Sequence, residues 1–150
     1  MGDDFFQRIL IPYKRYFDFK GRSSRREYWL FVLLFIIVLI LTIIAKEYTI
    51  SDSIADQIIT GLWSAFVLGT IIPGFAAAAR RLHDGGNSAW WLLIYFVPLI
   101  GGIWLLILLL TPSQNGSNKW GPNPLNQKQE LELDTLDSQF VVDREDDELL

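Results

Sequence analysis

The sequence predicts an all-α fold, a polytopic transmembrane helix bundle, and three observations carry that expectation. Hydrophobic residues make up 51% of the 150 positions, with six Trp and ten Phe among them, which exceeds the usual apolar share of soluble domains. They gather in three long apolar blocks, about residues 28–45, 54–79 and 89–110, each long enough for a hydrocarbon core of about 30 Å. The charge is lopsided as well. Residues 1–27 carry seven Lys/Arg against four acids, and residues 111–150 carry three against nine, so the net −4 conceals a basic start and an acidic end. Three spans are expected, with four as the alternative.

Residues 1–20 form the first unit. The stretch 5–19, FFQRILIPYKRYFDF, mixes aromatic and basic side chains, a composition that favours the headgroup layer. An interfacial amphipathic segment is expected there, with Pro12 interrupting any helix; a soluble arm packed on the loops is the plainer alternative. MGDDFF opens with acids and the first long apolar run begins at Tyr28, so the first span reads as an uncleaved anchor.

The membrane unit covers 21–124. Ser24 followed by Glu27 has the spacing of a capping box before an apolar run, which starts a helix with Arg25 and Arg26 in its first turn. Cations there oppose the helix dipole by a few tenths of a kcal/mol, and an anion at the same place reverses the sign. The first span, 28–45, holds no ionisable group and is flanked by Tyr28 and Trp29 at one end and Lys46 and Tyr48 at the other, a common pattern of interface anchors. Ser53 and Asp56 mark the start of the second helix. Along it Gly61, Ala65, Gly69, Pro73 and Ala77 recur every fourth residue, a stripe that lets neighbouring spans approach closely.

RRLHDGGN, residues 80–87, ends that helix, with Gly85 and Gly86 as breakers, and Asn87 or Ser88 caps the next span. The third block, 89–110, has the length of one crossing. Pro98 and the Gly101–Gly102 pair offer a second form, two half-helices in a hairpin, which lipid tolerates only where protein shields the break. Residues 111–124 are turn chemistry, and 125–150 read as an acidic disordered tail. Lys/Arg counts in the short loops place the N-terminus and RRLHD in the cytoplasm.

Three motifs, F-x-G-R-S-S-R-R-E-Y-W from Phe19 to Trp29, R-R-L-H-D-G-G-N-S-A-W-W from Arg80 to Trp91 and G-S-N-K-W-G-P-N-P from Gly116 to Pro124, stand in this order around the apolar blocks. In this the chain resembles the domain-of-unknown-function 805 family of small bacterial inner-membrane proteins. Departures are Trp120, where Tyr or Phe is more usual, Asn87, where Gly or Thr is common, and the acidic tail. The resemblance implies a multi-pass inner-membrane location and brings no established activity, so it assigns no catalytic residue.

The main charged constellation joins Arg25, Arg26 and Glu27 with Arg80, Arg81, His83 and Asp84. If both motifs lie at one membrane boundary, Glu27 can pair with Arg80 or Arg81. The plain reading is a charge collar that fixes topology and clasps helices. The functional reading is an anionic-lipid or phosphate site at Arg25, Arg26, Arg80 and Arg81, with Glu27, His83 and Asp84 as collar partners, since guanidinium suits phosphate bidentately. No catalytic site and no cofactor is expected, because adjacent His83 and Asp84 do not share a helix face. One His and no Cys give no metal set. Expected partners are membrane lipids of anionic type, with a protein partner or a second copy also open, and no nucleic acid. A subunit of an oligomeric small-solute transporter or channel, lined by Gln57, Thr60, Ser64 and Thr70, is the alternative, and a membrane-boundary enzyme using His83 is a distant third.

Overall fold

A computed structural model describes residues 2–126. The acidic tail expected to be disordered lies, from residue 127, outside the described residues. Among the described residues there are four α-helices, one 3₁₀ helix and no strand.

Helix α1 spans Gly2–Lys14 and runs through Pro12. The expected interruption does not occur, because Pro12 stands in the last turn, where its missing N–H removes a single bond and the helix is about to end. Pro12 is fully buried. Next to it, the Tyr13 ring meets Phe31 edge-on at 5.5 Å, and its hydroxyl lies 3.0 Å from Thr70 Oγ1. The end of α1 is thereby docked on the next two helices.

Helix α2 spans Arg25–Glu47 and α3 spans Ile54–Asp84; both are long and apolar enough to cross a membrane. Ser24 caps α2 by accepting from Glu27 N at 3.3 Å, and Ser53 caps α3 by accepting from Asp56 N at 3.2 Å, as the sequence spacing requires. At 1.5 Å per residue α3 measures about 46 Å. That exceeds an apolar core of about 30 Å by about three turns, enough length to leave its final turn of charged residues outside one crossing. The two helices form an antiparallel hairpin, which puts Arg25 and Asp84 at the same end. Midway, Phe35 stacks near Trp63 at 5.6 Å and Phe66 at 5.8 Å.

The third apolar block takes the broken form rather than that of one crossing helix. A 3₁₀ helix, Ala89–Phe96, is followed by α4, Ile100–Leu110. The turn between them places Leu99 at φ +66° and is closed by Ile100 N donating to Pro98 O at 2.8 Å. Gly101 makes the turn possible: a Cβ there would lie 1.8 Å from Ile94 O. Both ends of the block meet the end of α3, where Gln114 N donates to Asp84 O at 2.8 Å. Each half is about 16 Å long at the usual rises of the two helix types. The block therefore leaves from and returns to the Asp84 end, and residues 111–126 lie at the same end as Arg25.

This depth explains where the small-residue stripe is used. Sixteen ångströms correspond to about eleven residues of α3 counted back from Asp84, which reaches Pro73. Pro73 and Ala77 are buried, whereas Gly61 and Ala65 are exposed, and beyond the adjacent residues and the helix's own backbone nothing lies within 4 Å of a Cβ built on Gly61 or Gly69. The stripe is thus split into a packed half and an open half, in place of one continuous packing face.

Candidate functional site

At the Asp84 end the three sequence motifs meet around one carboxylate, the first two bonding it directly and the third through Arg22 and His83. Asp84 is completely buried. Its Oδ1 accepts from Arg22 Nε at 3.0 Å, its Oδ2 accepts from Arg81 Nη1 at 2.5 Å, and Ser113 Oγ also donates to Oδ2. Arg22 uses its whole fork: beyond Asp84 Oδ1 it donates to Gly116 O at 2.7 Å, Gly121 O at 3.4 Å, Gln114 O at 2.6 Å and Asp84 O at 3.4 Å. A planar five-donor head is suited to such a convergence of carbonyls, and an ammonium is not.

Arg81 ties down α4. Its Nε donates to Leu109 O at 3.0 Å and its Nη2 to Thr111 O, two of the carbonyls that a helix end leaves without intrahelical partners. Arg25 donates to the same Thr111 O at 3.3 Å. Both cations therefore sit at the negative pole of α4, where charge and helix dipole attract.

Arg80 turns the other way, toward α1. Its Nη1 donates to Asp18 O and, at 3.3 Å, to Arg15 O. Its Nη2 stands 3.9 Å from Glu27 Oε1, so Glu27 faces inward toward Arg80 rather than closing the second half of a capping box. Nearby, burial lifts the Asp18 carboxyl, but the Arg15 hydrogen bonds, the Lys20 N–H and the Arg15 and Arg80 charges together hold it below the ordinary carboxylate range. His83 and Asp84 do face different neighbours. The His83 Nδ1 lies 3.2 Å from Gly21 O, and its ring stacks on Trp120 at 4.5 Å with planes 11° apart. Lys119 Nζ covers the same indole at 4.2 Å from its centroid.

The four arginines grouped by the sequence are therefore two pairs. Arg80 and Arg81 are fully buried and directed at carbonyls and carboxylates; Arg25 and Arg26 are exposed. Arg26 makes no ion pair or hydrogen bond among the described residues. Arg22, Ser113, Gln114, Asn118 and Trp120 belong to the assembly although charge reasoning singled out none of them. Arg22, Asn118 and Trp120 did stand inside the quoted motifs, which was the available signal. Of the polar side chains offered as a channel lining, Gln57 donates to Asp52 O at 3.4 Å, Ser64 to Thr60 O at 2.8 Å and Thr70 to Phe66 O at 2.7 Å, while Thr60 accepts from Lys46 at 2.8 Å.

The sequence matches the protein family of unknown function DUF805 over residues 16–122, a range that contains all of Arg22, Arg80, Arg81 and Asp84. The chain belongs to the DUF805 family. It is 38% identical over 118 residues to inner membrane protein YhaI of Escherichia coli strain K12, covering 79% of this chain and 95% of that one. With inner membrane protein YhaH of the same strain it shares 33% over 122 residues, 81% of this chain and 96% of the relative. The uncharacterized protein YiiR of that strain is 27% identical over 95 residues, 61% and 59% of the two chains. No solved structure matches the chain. With relatives named as inner membrane proteins and two helices apolar enough to cross a bilayer, the chain is an integral membrane protein, and the matched region ends at residue 122, within the polar clasp around Asp84 and before the acidic tail.

Proposed function

We propose that this protein is a non-enzymatic binder of anionic lipid headgroups in a bacterial inner membrane, crossing it more than once with its N-terminus in the cytoplasm. The observation that carries the reading is the division of labour among the arginines. Arg22, Arg80 and Arg81 hold the fold together, so their charges face inward. Arg25 and Arg26 lie exposed in the first turn of α2, beside Tyr28 and Trp29, which suit the headgroup layer. The helix N-terminus favours an anion at that place, and guanidinium pairs with phosphate bidentately. Lys20 and Lys119 are also exposed at this end, and such juxtamembrane cations attract anionic lipid by about 1 kcal/mol each.

The test is native mass spectrometry of the detergent-released protein with phosphatidylglycerol. Arg25→Gln combined with Arg26→Gln should lower lipid retention several-fold, and unchanged retention overturns the proposal. Sidedness is read separately, because the chain has no Cys. Cysteines introduced at the exposed positions Ser51 and Ser117 should label from opposite sides, with Ser117 cytoplasmic. A buried Ser23 is unsuitable for that purpose.

A further inference from the structure

The return of the 89–110 block fixes where the acidic tail begins. Residues 111–126 are held at the Asp84 end by Arg22, which donates to Gln114 O and Gly116 O, and by Asn123, which donates to Gln114 O at 3.3 Å. The tail therefore leaves the described structure at the same end as Arg25 and Arg26. That end presents Lys20, Arg25, Arg26 and Lys119 as exposed cations. Among the described side chains its acids are engaged: Asp84 and Glu27 are buried, and Asp18 pairs with Arg15 at 2.6 Å. The opposite end offers Glu47, Asp52 and Asp56 with Lys46, which repels an acidic segment.

We propose that the acidic run at 143–148, Asp-Arg-Glu-Asp-Asp-Glu, docks on the Arg25–Arg26 face and competes there with anionic headgroups. Five of its six residues are carboxylates, so the charge complementarity is with this run and not with the mixed sequence before it. The sixteen residues from 127 to 142 can reach at most about 55 Å, which spans the face of so small a bundle. Tethering at that range supplies the run at an effective concentration on the order of millimolar. Contacts between exposed charges are individually weak and salt-screened, so the tail is a reversible competitor and not a permanent cover. This rests on the reading of Arg25 and Arg26 as an anion-binding pair.

The test uses the full-length chain in neutral detergent, with spin labels on cysteines introduced at Ser117 and Leu149 and distances read by double electron–electron resonance. At low salt a short, narrow distance population should appear. It should lose most of its amplitude when Asp143, Glu145, Asp146, Asp147 and Glu148 are changed to their amides, and equally with Arg25→Gln plus Arg26→Gln. A single broad distribution in the unaltered tail, or a short population that survives the arginine changes, overturns the proposal. In parallel, the tail-neutralised chain should retain several-fold more phosphatidylglycerol than the unaltered one, and equal retention also counts against competition. The distance measurement contains no lipid. Docking without lipid retention therefore removes the headgroup reading, and retention without docking removes the tail inference.

Discussion

At the Asp84 end of the α2–α3 hairpin, Arg22, Glu27, Arg80, Arg81, His83 and Asp84 are buried together with Ala76, Ala77, Ala79 and Leu82. At the other end, Lys46 meets Asp56 at 3.2 Å in a half-exposed pair, and residues 54–69 of α3 include no buried position. The same two helices are thus welded at one end by a buried polar network and joined at the other only by the partly exposed contacts of Lys46 with Asp56 and Thr60. Lipid accounts for the difference. Between apolar helices in a bilayer there is no hydrophobic drive, because lipid tails are as apolar as Leu, so geometry must be fixed by polar contacts and close packing. This chain concentrates both at the Asp84 end of the hairpin.

The sharpest break in that comparison is the removal of one carboxylate from each end. Asp84→Ala leaves Arg22 and Arg81 buried without their shared anion, a loss of about 3–5 kcal/mol by the usual behaviour of broken buried pairs. Asp56→Ala removes a partly exposed pair and should cost about 0–1 kcal/mol. Unfolding in detergent by increasing SDS, followed by circular dichroism, compares the two directly. Equal losses would mean that the clasp does not hold the bundle.

Much of this architecture was legible beforehand, and the limits have physical causes. Ser24 and Ser53 announced the helix starts because a cap is local: the hydroxyl and the N–H it serves are three residues apart. The charge of Arg80 and Arg81 was equally plain, but not its direction, since whether a guanidinium faces water or a carbonyl depends on what residues 109–121 do after returning. That return was itself open. Pro98, Gly101 and Gly102 were compatible with a kinked crossing or a hairpin, and the decision rests on Asp84 bonding to Ser113 and Gln114, contacts about 29 residues apart in sequence. The stripe from Gly61 to Ala77 is regular in sequence and half-used in space for the same reason.

The hairpin turn sharpens the comparison next, with two adjacent glycines as its own control. Gly101→Ala forces a methyl against the Ile94 carbonyl, a backbone atom that does not yield, and overpacking of this kind costs about 1–3 kcal/mol. A Cβ on Gly102 meets nothing within 4 Å, so Gly102→Ala should be neutral or stabilising by up to about 1 kcal/mol, the helix-propensity difference. If both behave alike in the same SDS titration, the tight crossing of the 3₁₀ helix and α4 is not a constraint on the fold. A smaller effect is expected from Trp120, which covers His83 from outside the buried network. Trp120→Ala should remove about 0.5–1.5 kcal/mol of ring stacking beyond its burial, and Trp120→Tyr should recover most of it, because a flat ring still lies on the imidazole. Failure of Tyr to rescue would assign the role to the indole and its contact with Lys119 instead.

The smallest effect probes the open end, and there the sign matters more than the size. Gly61 lies in the interior of α3 with open space at its Cβ position. For an isolated bundle, Gly61→Ala raises stability by about 0.5–1 kcal/mol, since alanine restricts the unfolded chain and the helix accommodates a methyl without strain. A face kept small for contact with a second copy behaves oppositely, because the added methyl then separates two backbones that touch. Sedimentation equilibrium in density-matched detergent, run alongside the unfolding measurement, distinguishes the two. A stability gain at unchanged mass leaves the open half of the stripe to lipid. A fall in mass with the same substitution makes that half an interface, and the polar clasp at the far end would then be the rigid base from which the pairing surface projects.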